Sequence, residues 1–538
     1  MAIAKRAAGD DRLLAIGCPQ TWRQPGRAGA QEKPSPARCG TMAMSKRAQH
    51  TKKWNRSSRL FEAIRVIGGD PIDGPCEMHV VGTSGMPGSA GKTAGPRTAA
   101  IRRLARLLGA GLLLWPTLGG ATEPERGDIW SGHHLALGAS LRARYENKND
   151  FAFGTSVAAN DQDYFLTRLR LNLTWEPVES LSFFIEAQDA QIHSEQSTAI
   201  DSNATPNIFE DHLDVHRLFV QLDRRVAAIP VSLNVGRQKF NLGAQRLVAS
   251  LEWVNTARVH DAVALTLGSE DERILLGFAS WLVPVRPNDF NDHGNSANRY
   301  MDSQFHGLYY TDRKLVPNLE LEGYFLIRVR DEADDEIYTV GSRLDWRRGI
   351  FDANAEVAGQ FGEFGDRDHE AWMLHAGVGM VWGWAGRTHF SVAYNYASGD
   401  SNPTDGTHQT FDNLYPLNHA YYGYMDFVSL QNIHNLELVA KKTFFDVLKL
   451  RIAYQGFWLD EPESDSWYNA GMNAMRTAGG SASRELGHEI DVTLAFSVLE
   501  GHASIVVGYG HFFTGEYLSD TGSDSDADFL FVQPTIQY

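Results

Sequence analysis

The stretch "DYFLTRLRLNLTWEP", residues 163–177, alternates apolar and polar side chains at nearly every position. In an extended chain, successive side chains point to opposite faces. One face then carries Phe165, Leu169, Leu171, Leu173 and Trp175. The other face carries Arg168, Arg170, Asn172 and Thr174. This period of two predicts a long β-strand with one apolar side and one charged side.

The same period recurs throughout the chain after Ala121, where a helical period of 3.6 residues is almost absent. Other examples are "HHLALGASLRARYE" (133–146) and "LELEGYFLIRVRD" (319–331). We mark about eighteen such segments, each roughly ten to fifteen residues long. They begin near residues 133, 163, 180, 212, 231, 257, 273, 303, 318, 335, 350, 369, 388, 431, 446, 485, 502 and 527.

The connections between these segments alternate in length. Short turns such as "EPVES" (176–180) exchange with long loops such as residues 397–430. A soluble antiparallel sandwich also alternates in polarity, but its strands average about five or six residues. In lipid every backbone N–H and C=O must be paired within the protein, so strands can cross a bilayer only as a closed barrel. We therefore predict an all-β fold, a transmembrane antiparallel β-barrel of about 18 strands in a Gram-negative outer membrane.

Cysteine and charge divide the chain at one place. Cys18, Cys39 and Cys76 all precede residue 80, which excludes a disulfide or thiolate-zinc scaffold for the rest. Residues 1–121 hold 19 Lys and Arg against 7 Asp and Glu, which leaves 31 against 59 in the remainder. Because this long part is acidic, we expect no nucleic-acid binding.

The junction between the two parts has the pattern of a secretory signal peptide. Arginines up to Arg106 precede the apolar run Leu107–Leu118, and small residues follow as far as Ala121. A short buried helix is the alternative. We predict a signal peptide over 86–121 and the barrel over 122–538. Residues 1–85 are expected to be a non-native or disordered extension, with translation beginning near Met86.

Chemical motifs of enzymes are scarce, and we expect a non-enzyme without cofactor or metal. Nucleophile elbows, zinc-protease helices and phosphate-binding loops do not occur in the sequence. A barrel-type hydrolase using Ser391, Ser398 or His419 is the least favoured alternative. The acidic run from Asp520 to Asp528 offers oxygen ligands for a cation, but it lacks the spacing of a calcium loop.

Three longer stretches and the closing "DFLFVQ" (528–533) resemble the alginate export family of outer-membrane β-barrel proteins. The stretches are "GRQKFNLGAQRLVASLEWVNTARVHDAVALTL" (236–267), "YNYASGDSNPTDGTHQTFDNLYPLNHAYYGYMDFVSLQNIHNLEL" (394–438) and "GHEIDVTLAFSVLEGHASIVVGYGHFFTGEYL" (487–518). The resemblance covers residues 130–538. It implies an eighteen-stranded, monomeric barrel with an electropositive lumen that passes an anionic polysaccharide outward.

Substrate-binding residues follow from the resemblance and from alternation. The family's basic lumen, carried over by motif, implies roles for Arg168, Arg170, Arg237, Arg246 and Arg258. Alternation alone adds Arg142, Arg144, Lys441 and Arg451. Rings of Arg and Lys in a lumen attract anions, and guanidinium forks fit carboxylates. The alternative for each residue is an ion pair that braces the barrel wall.

The loop "TFDNLYPLNHAYYGYMD" (410–426) is the expected gate, an ordered outer loop over the lumen mouth. Its gate residues are Tyr415, His419, Tyr421, Tyr422 and Tyr424. The expected function is a gated outer-membrane channel for an alginate-like polysaccharide, with a general or small-anion porin as the alternative. Expected partners are that polymer or small anions, outer-membrane lipid and lipopolysaccharide, with periplasmic export proteins as further candidates.

Overall fold

A computed structural model describes residues 134–155, 160–193, 207–292, 303–330, 333–383, 388–445 and 447–538. The predicted signal peptide and the predicted N-terminal extension lie outside these residues. Within the described part, the helices are too short and too polar to cross a bilayer.

Eighteen long strands form one closed antiparallel sheet in the described residues. The first half of the barrel comprises β1 (His134–Asn149), β2 (Gln162–Val178), β3 (Leu181–His193), β4 (Asp211–Val226), β5 (Ile229–Gln238), β6 (His260–Ser269), β7 (Arg273–Leu282), β8 (Gln304–Val316) and β9 (Leu319–Arg330). The second half comprises β10 (Asp335–Arg348), β11 (Phe351–Phe364), β12 (Arg367–Trp382), β13 (Thr388–Ala397), β15 (Ile433–Phe444), β16 (Leu448–Leu459), β19 (Glu485–Val498), β20 (Ala503–Thr514) and β21 (Ala527–Gln537). Because β1 pairs with both β2 and β21, the sheet closes without a free edge.

The remaining elements lie in the long loops or at a turn. A two-residue strand, β14 (Thr407–His408), pairs in parallel with the start of β12. The hairpin of β17 (Ser466–Tyr468) and β18 (Ala474–Thr477) and the helix α1 (Glu516–Thr521) lie in two other long loops. Single 3₁₀ turns occur at Phe290–Asp292, Asn418–Ala420 and Leu499–Gly501.

The two faces of the barrel differ as the alternation predicts. On β1, Leu137 is 66% exposed and Leu141 48% exposed, whereas Arg142 and Arg144, which point to the other face, are buried. The exposed apolar face is the one that lipid can cover, and the opposite face is the lumen. This confirms the eighteen-stranded barrel, and each strand begins within three residues of its predicted position.

Two long loops fold into the lumen. We call residues 239–259, which join β5 to β6, the first lumen loop, and residues 398–432, which join β13 to β15, the second lumen loop. The backbone N–H of Tyr415 donates to the carbonyl of Leu247 (2.9 Å), and the N–H of Ala249 donates to the carbonyl of Tyr415 (2.8 Å). These bonds join the two loops. Side chains on the inner face of the barrel then hold both loops, so the lumen itself contains them.

Candidate functional site

Four guanidinium groups form a basic wall on the lumen face of β1 and β2. Arg142 is the direct cross-strand partner of Arg168, and Arg144 and Arg170 lie beside them in the same face. All four are buried, with 2–9% of each residue exposed. Like charges this close repel, and more so where water is excluded. The wall therefore needs acidic partners.

The first lumen loop supplies the main acidic partner of the wall. The carboxylate of Glu252 lies 3.1 Å from Arg168, 2.8 Å from Arg170 and 2.5 Å from the ammonium of Lys239. Arg142 donates to the backbone carbonyls of Glu252 (2.7 Å) and Val254 (3.0 Å). Burial alone would raise the pKa of the Glu252 carboxyl, but the surrounding cations hold that pKa well below its usual range. Glu252 is therefore ionised at neutral pH.

A column of stacked side chains runs along the inner wall from β1 to β16, against Phe531 of β21. The guanidinium of Arg144 lies 3.9 Å from the ring centre of Trp253, and Trp253 stacks on His419 with ring centres 3.6 Å apart. His419 stacks in turn on Tyr424 at 4.5 Å, and Arg451 lies over Tyr424 at 5.1 Å. Cation–π and aromatic contacts of this kind each contribute about 0.5–2 kcal/mol. We call this set the loop stack.

Asp426 and Gly423 fix the second lumen loop around the stack. One carboxylate oxygen of Asp426 lies 3.1 Å from Nδ1 of His419, and the other accepts a hydrogen bond from Nε1 of Trp253 (3.2 Å). At Gly423 φ is +89°, and a Cβ there would lie 2.4 Å from the carboxylate of Glu489 on β19. Only glycine combines this backbone conformation with so close an approach to the wall.

The other predicted gate residues are packed rather than free to bind a sugar. Tyr415 packs against Phe305 with ring centres 4.8 Å apart, and Tyr422 is fully buried. The hydroxyl of Tyr421 donates to the carbonyl of Ala244. The gate loop was expected over the lumen mouth, and this position was wrong because it lies inside the barrel. The alternation of polarity along strands gives no information on the path of a loop. Contacts between the loop and the inner wall decide that path.

A family model described as alginate export matches residues 133–533. The chain belongs to the alginate export family. Solved Pseudomonas aeruginosa structures share the fold. OpdO is 15% identical with a TM-score of 0.51, over 75% of this chain and 97% of that chain. OpdK, solved with vanillate, is 12% identical with a TM-score of 0.50, over 75% and 99%. A comparison with curated proteins returned no match. This alginate export family member is thus a porin-like channel of the outer membrane.

The remaining predicted basic residues of this family member have separate surroundings. In the first lumen loop, Arg246 lies 4.3 Å above the ring of Tyr421, and Arg258 donates to the carbonyl of Ala249 (3.1 Å). Arg451 pairs with Glu437 at 3.1 Å. Its cross-strand neighbour Lys441 is exposed on the lumen face. The structure thus groups Arg142, Arg144, Arg168 and Arg170, while Arg451 lies at the other end of the stack.

Arg237 does not belong to the lumen face, and its predicted place there was wrong. In register it lies beside Leu218, which is 51% exposed on the outward face, and beside Asp261. Its guanidinium binds Asp261 at 2.9 Å and donates to the carbonyl of Val215. The alternation of β5 gives the reason, because exposed Val235 precedes Arg237 by two positions.

Sequence reasoning missed Glu252, Trp253, Lys239 and Asp426. The alginate export motif over residues 236–267 includes the first three, but they lie in a loop, where alternation assigns no face. The one sequence signal for these site residues was the adjacent pair Glu252 and Trp253 within a long loop. Only the folded position of the loop shows what these side chains contact.

The residues considered for catalysis or metal binding in this channel make structural contacts. The hydroxyl of Ser398 donates to the carbonyl of Gln409 (2.7 Å), and His419 is held within the stack. In the acidic run, Asp526 accepts from the N–H of Thr514 (2.8 Å), and Asp528 lies 2.8 Å from His511. Among the described residues, no group of three or more His, Cys, Asp and Glu is placed to hold a metal ion.

Proposed function

We propose that this channel passes an anionic, alginate-like polysaccharide through the lumen and that the two lumen loops are its gate. One observation carries the proposal: the four guanidiniums of the basic wall lie side by side on the lumen face of β1 and β2. Guanidinium groups bind carboxylates through paired hydrogen bonds, and a row of them lowers the barrier for an anion in a pore. A uronate polymer carries a carboxylate on each sugar, which matches such a row.

Gating is supported by the contacts that the loops make with each other. The loop stack joins the first lumen loop to the second through Trp253 and His419. Because both loops fold into the lumen and contact each other there, a polymer chain passes only after the loops separate at the stack. Movement of a loop can open or close access to a site while the elements that carry the loop stay folded.

A small-anion porin is the second candidate. It is favoured by the vanillate in the similarly folded OpdK. Cavities also remain on the short-turn side of the lumen, and one of about 510 Å³ is lined by Thr174, Glu176 and Asp223. A small solute fits such a space without separation of the stack, but its acidic lining does not attract an anion.

The test is charge inversion in the basic wall. In planar bilayers we expect Arg168→Glu combined with Arg170→Glu to convert anion preference into cation preference, read from the reversal potential in a salt gradient. Arg237→Gln is the matched control, because it removes an arginine from the opposite face, and it should keep the preference of the natural protein. Unchanged anion preference in the double variant would contradict the proposal.

Blockers distinguish the two candidates. A uronate trimer added to the natural protein should reduce ion current at concentrations at which neutral maltotriose has no effect. Equal block by glucuronate and by the trimer would favour the small-anion porin.

A further inference from the structure

Glu252 occupies the position in which the basic wall would bind a carboxylate from outside. Its oxygens contact three cations, and its side chain is 42% exposed while those of Arg168 and Arg170 are 10% and 6% exposed. The carboxylate therefore covers the guanidiniums and itself faces the open lumen. An incoming anion would meet Glu252 before it reached the wall.

Asp412 of the second lumen loop also pairs with a wall arginine, Arg328, but it is buried, and two other acidic groups of the lumen are attached to the wall itself. Glu146 on β1 binds Arg144 at 2.6 Å, and Glu186 on β3 binds Arg217 at 2.9 Å. Those pairs move only if the sheet moves. Glu252, in contrast, belongs to a loop, so it can leave Arg168 and Arg170 while the barrel stays intact.

The neighbour of Glu252 belongs to the loop stack. Trp253 follows it directly and lies between Arg144 and His419. Because one peptide unit joins the two residues, a shift that withdraws Glu252 from the wall also moves Trp253 relative to His419. Occupancy of the wall and contact between the loops are therefore mechanically linked.

We propose that Glu252 competes, as a carboxylate tethered to the protein, with the carboxylates of the transported polymer for the basic wall, and that its displacement separates the loop stack. This inference rests on the proposed function, because it assumes that uronates reach the basic wall. Glu252 would therefore determine which anions reach the basic wall as well as when the channel opens. A tethered carboxylate acts at an effective concentration in the millimolar range, which a single free carboxylate competes with poorly. A polymer presents several linked carboxylates and gains the same advantage.

The experiment compares block of ion current by a uronate trimer and by monomeric glucuronate in planar bilayers, using the full-length protein. In the natural protein the trimer should block at much lower concentration than the monomer. In Glu252→Gln the half-blocking concentration of the monomer should fall about tenfold, and the difference between monomer and trimer should shrink.

Asp345→Asn is the matched control. Asp345 is also a carboxylate shared by two arginines, Arg343 at 2.9 Å and Arg347 at 3.0 Å, but it lies on strand β10. Its loss removes the same charge without freeing a loop, so both half-blocking concentrations should stay within about twofold of those of the natural protein.

The outcomes separate the inference from the proposed function. If the trimer blocks the natural protein but Glu252→Gln binds the monomer no better, the proposed role of Glu252 is refuted. The proposed function as a polymer channel is then unaffected. If neither anion affects the natural protein, the proposed function fails first. Should Glu252→Gln not insert, Glu252→Asp keeps the charge but shortens its reach, and an unchanged ratio of monomer to trimer in that variant would overturn the proposed role of Glu252.

Discussion

At the scale of single residues, the neighbours of a charged group determine its protonation in the lumen. Lys239 lies at the start of the first lumen loop, 2.5 Å from Glu252. Burial lowers the pKa of Lys239 to about 8, and Arg170 and Arg217 act in the same direction, while Glu252 opposes them. The ammonium is thus charged at pH 7 and mostly neutral at pH 9.

We predict that the anion preference of the channel decreases between pH 7 and pH 9. Because Lys239 loses its proton as the pH rises through about 8, the lumen loses one positive charge beside Arg170. Reversal potentials at both pH values measure the change. Lys239→Arg keeps its charge throughout this range, so its anion preference should be the same at pH 7 and pH 9. An equal decrease in anion preference in Lys239→Arg would show that another group is responsible.

Single residues also show where alternation is sufficient. It places Arg142 and Arg168 correctly, because both lie in the middle of long strands whose apolar neighbours face outward. It also places Arg237 outward when its own strand is considered, although the motif had suggested the lumen. For Glu252 and His419 alternation gives no information, since loop residues have no fixed period.

At the scale of elements, each strand must be apolar on one side to face lipid. Val340 lies near the middle of β10 and is 50% exposed. The preceding residue of the same strand, Thr339, points to the other face and is fully buried. Outward residues therefore contribute to stability through the membrane, and inward residues through the loops that fill the lumen.

We predict that Val340→Arg lowers the free energy of unfolding by about 2–4 kcal/mol, the cost of arginine near the midplane of a bilayer. Denaturant titration of folding into lipid vesicles measures this difference. Val340→Leu, which keeps an apolar side chain at the same position, should change stability by less than about 1 kcal/mol. Equal stability of the Arg and Leu variants would mean that Val340 does not face lipid.

The loops are the second kind of element, and their mutual contact sets the closed arrangement. We predict that His419→Ala increases the fraction of time the channel is open by about tenfold, because two stacking contacts of about 0.5–1.5 kcal/mol each are lost. Single-channel recording measures the open fraction. His419→Phe keeps both ring contacts and should stay within about threefold of the natural protein. Similar gating in all three proteins would exclude the stack as part of the gate.

At the scale of the whole molecule, different contacts close the sheet and fill the lumen. Pairing of β1 with β21 closes the sheet and leaves no free strand edge. The two lumen loops are then joined to each other, and to β1 and β16, through the stack from Arg144 to Arg451. The part of the chain after Ala121 is acidic as a whole, yet four arginines gather on one inner wall. Overall charge therefore does not describe the path that an anion would take.

The amino-acid sequence by itself determined the strands, their number and the face of most side chains, because a period of two is a local property of an extended chain. Tertiary structure alone decided what fills the lumen. The contacts of Glu252 with Arg168, and of Trp253 with His419, join residues that are more than eighty and more than 160 positions apart. Such contacts depend on where two long loops fold within a closed barrel, and no local pattern of polarity records that path.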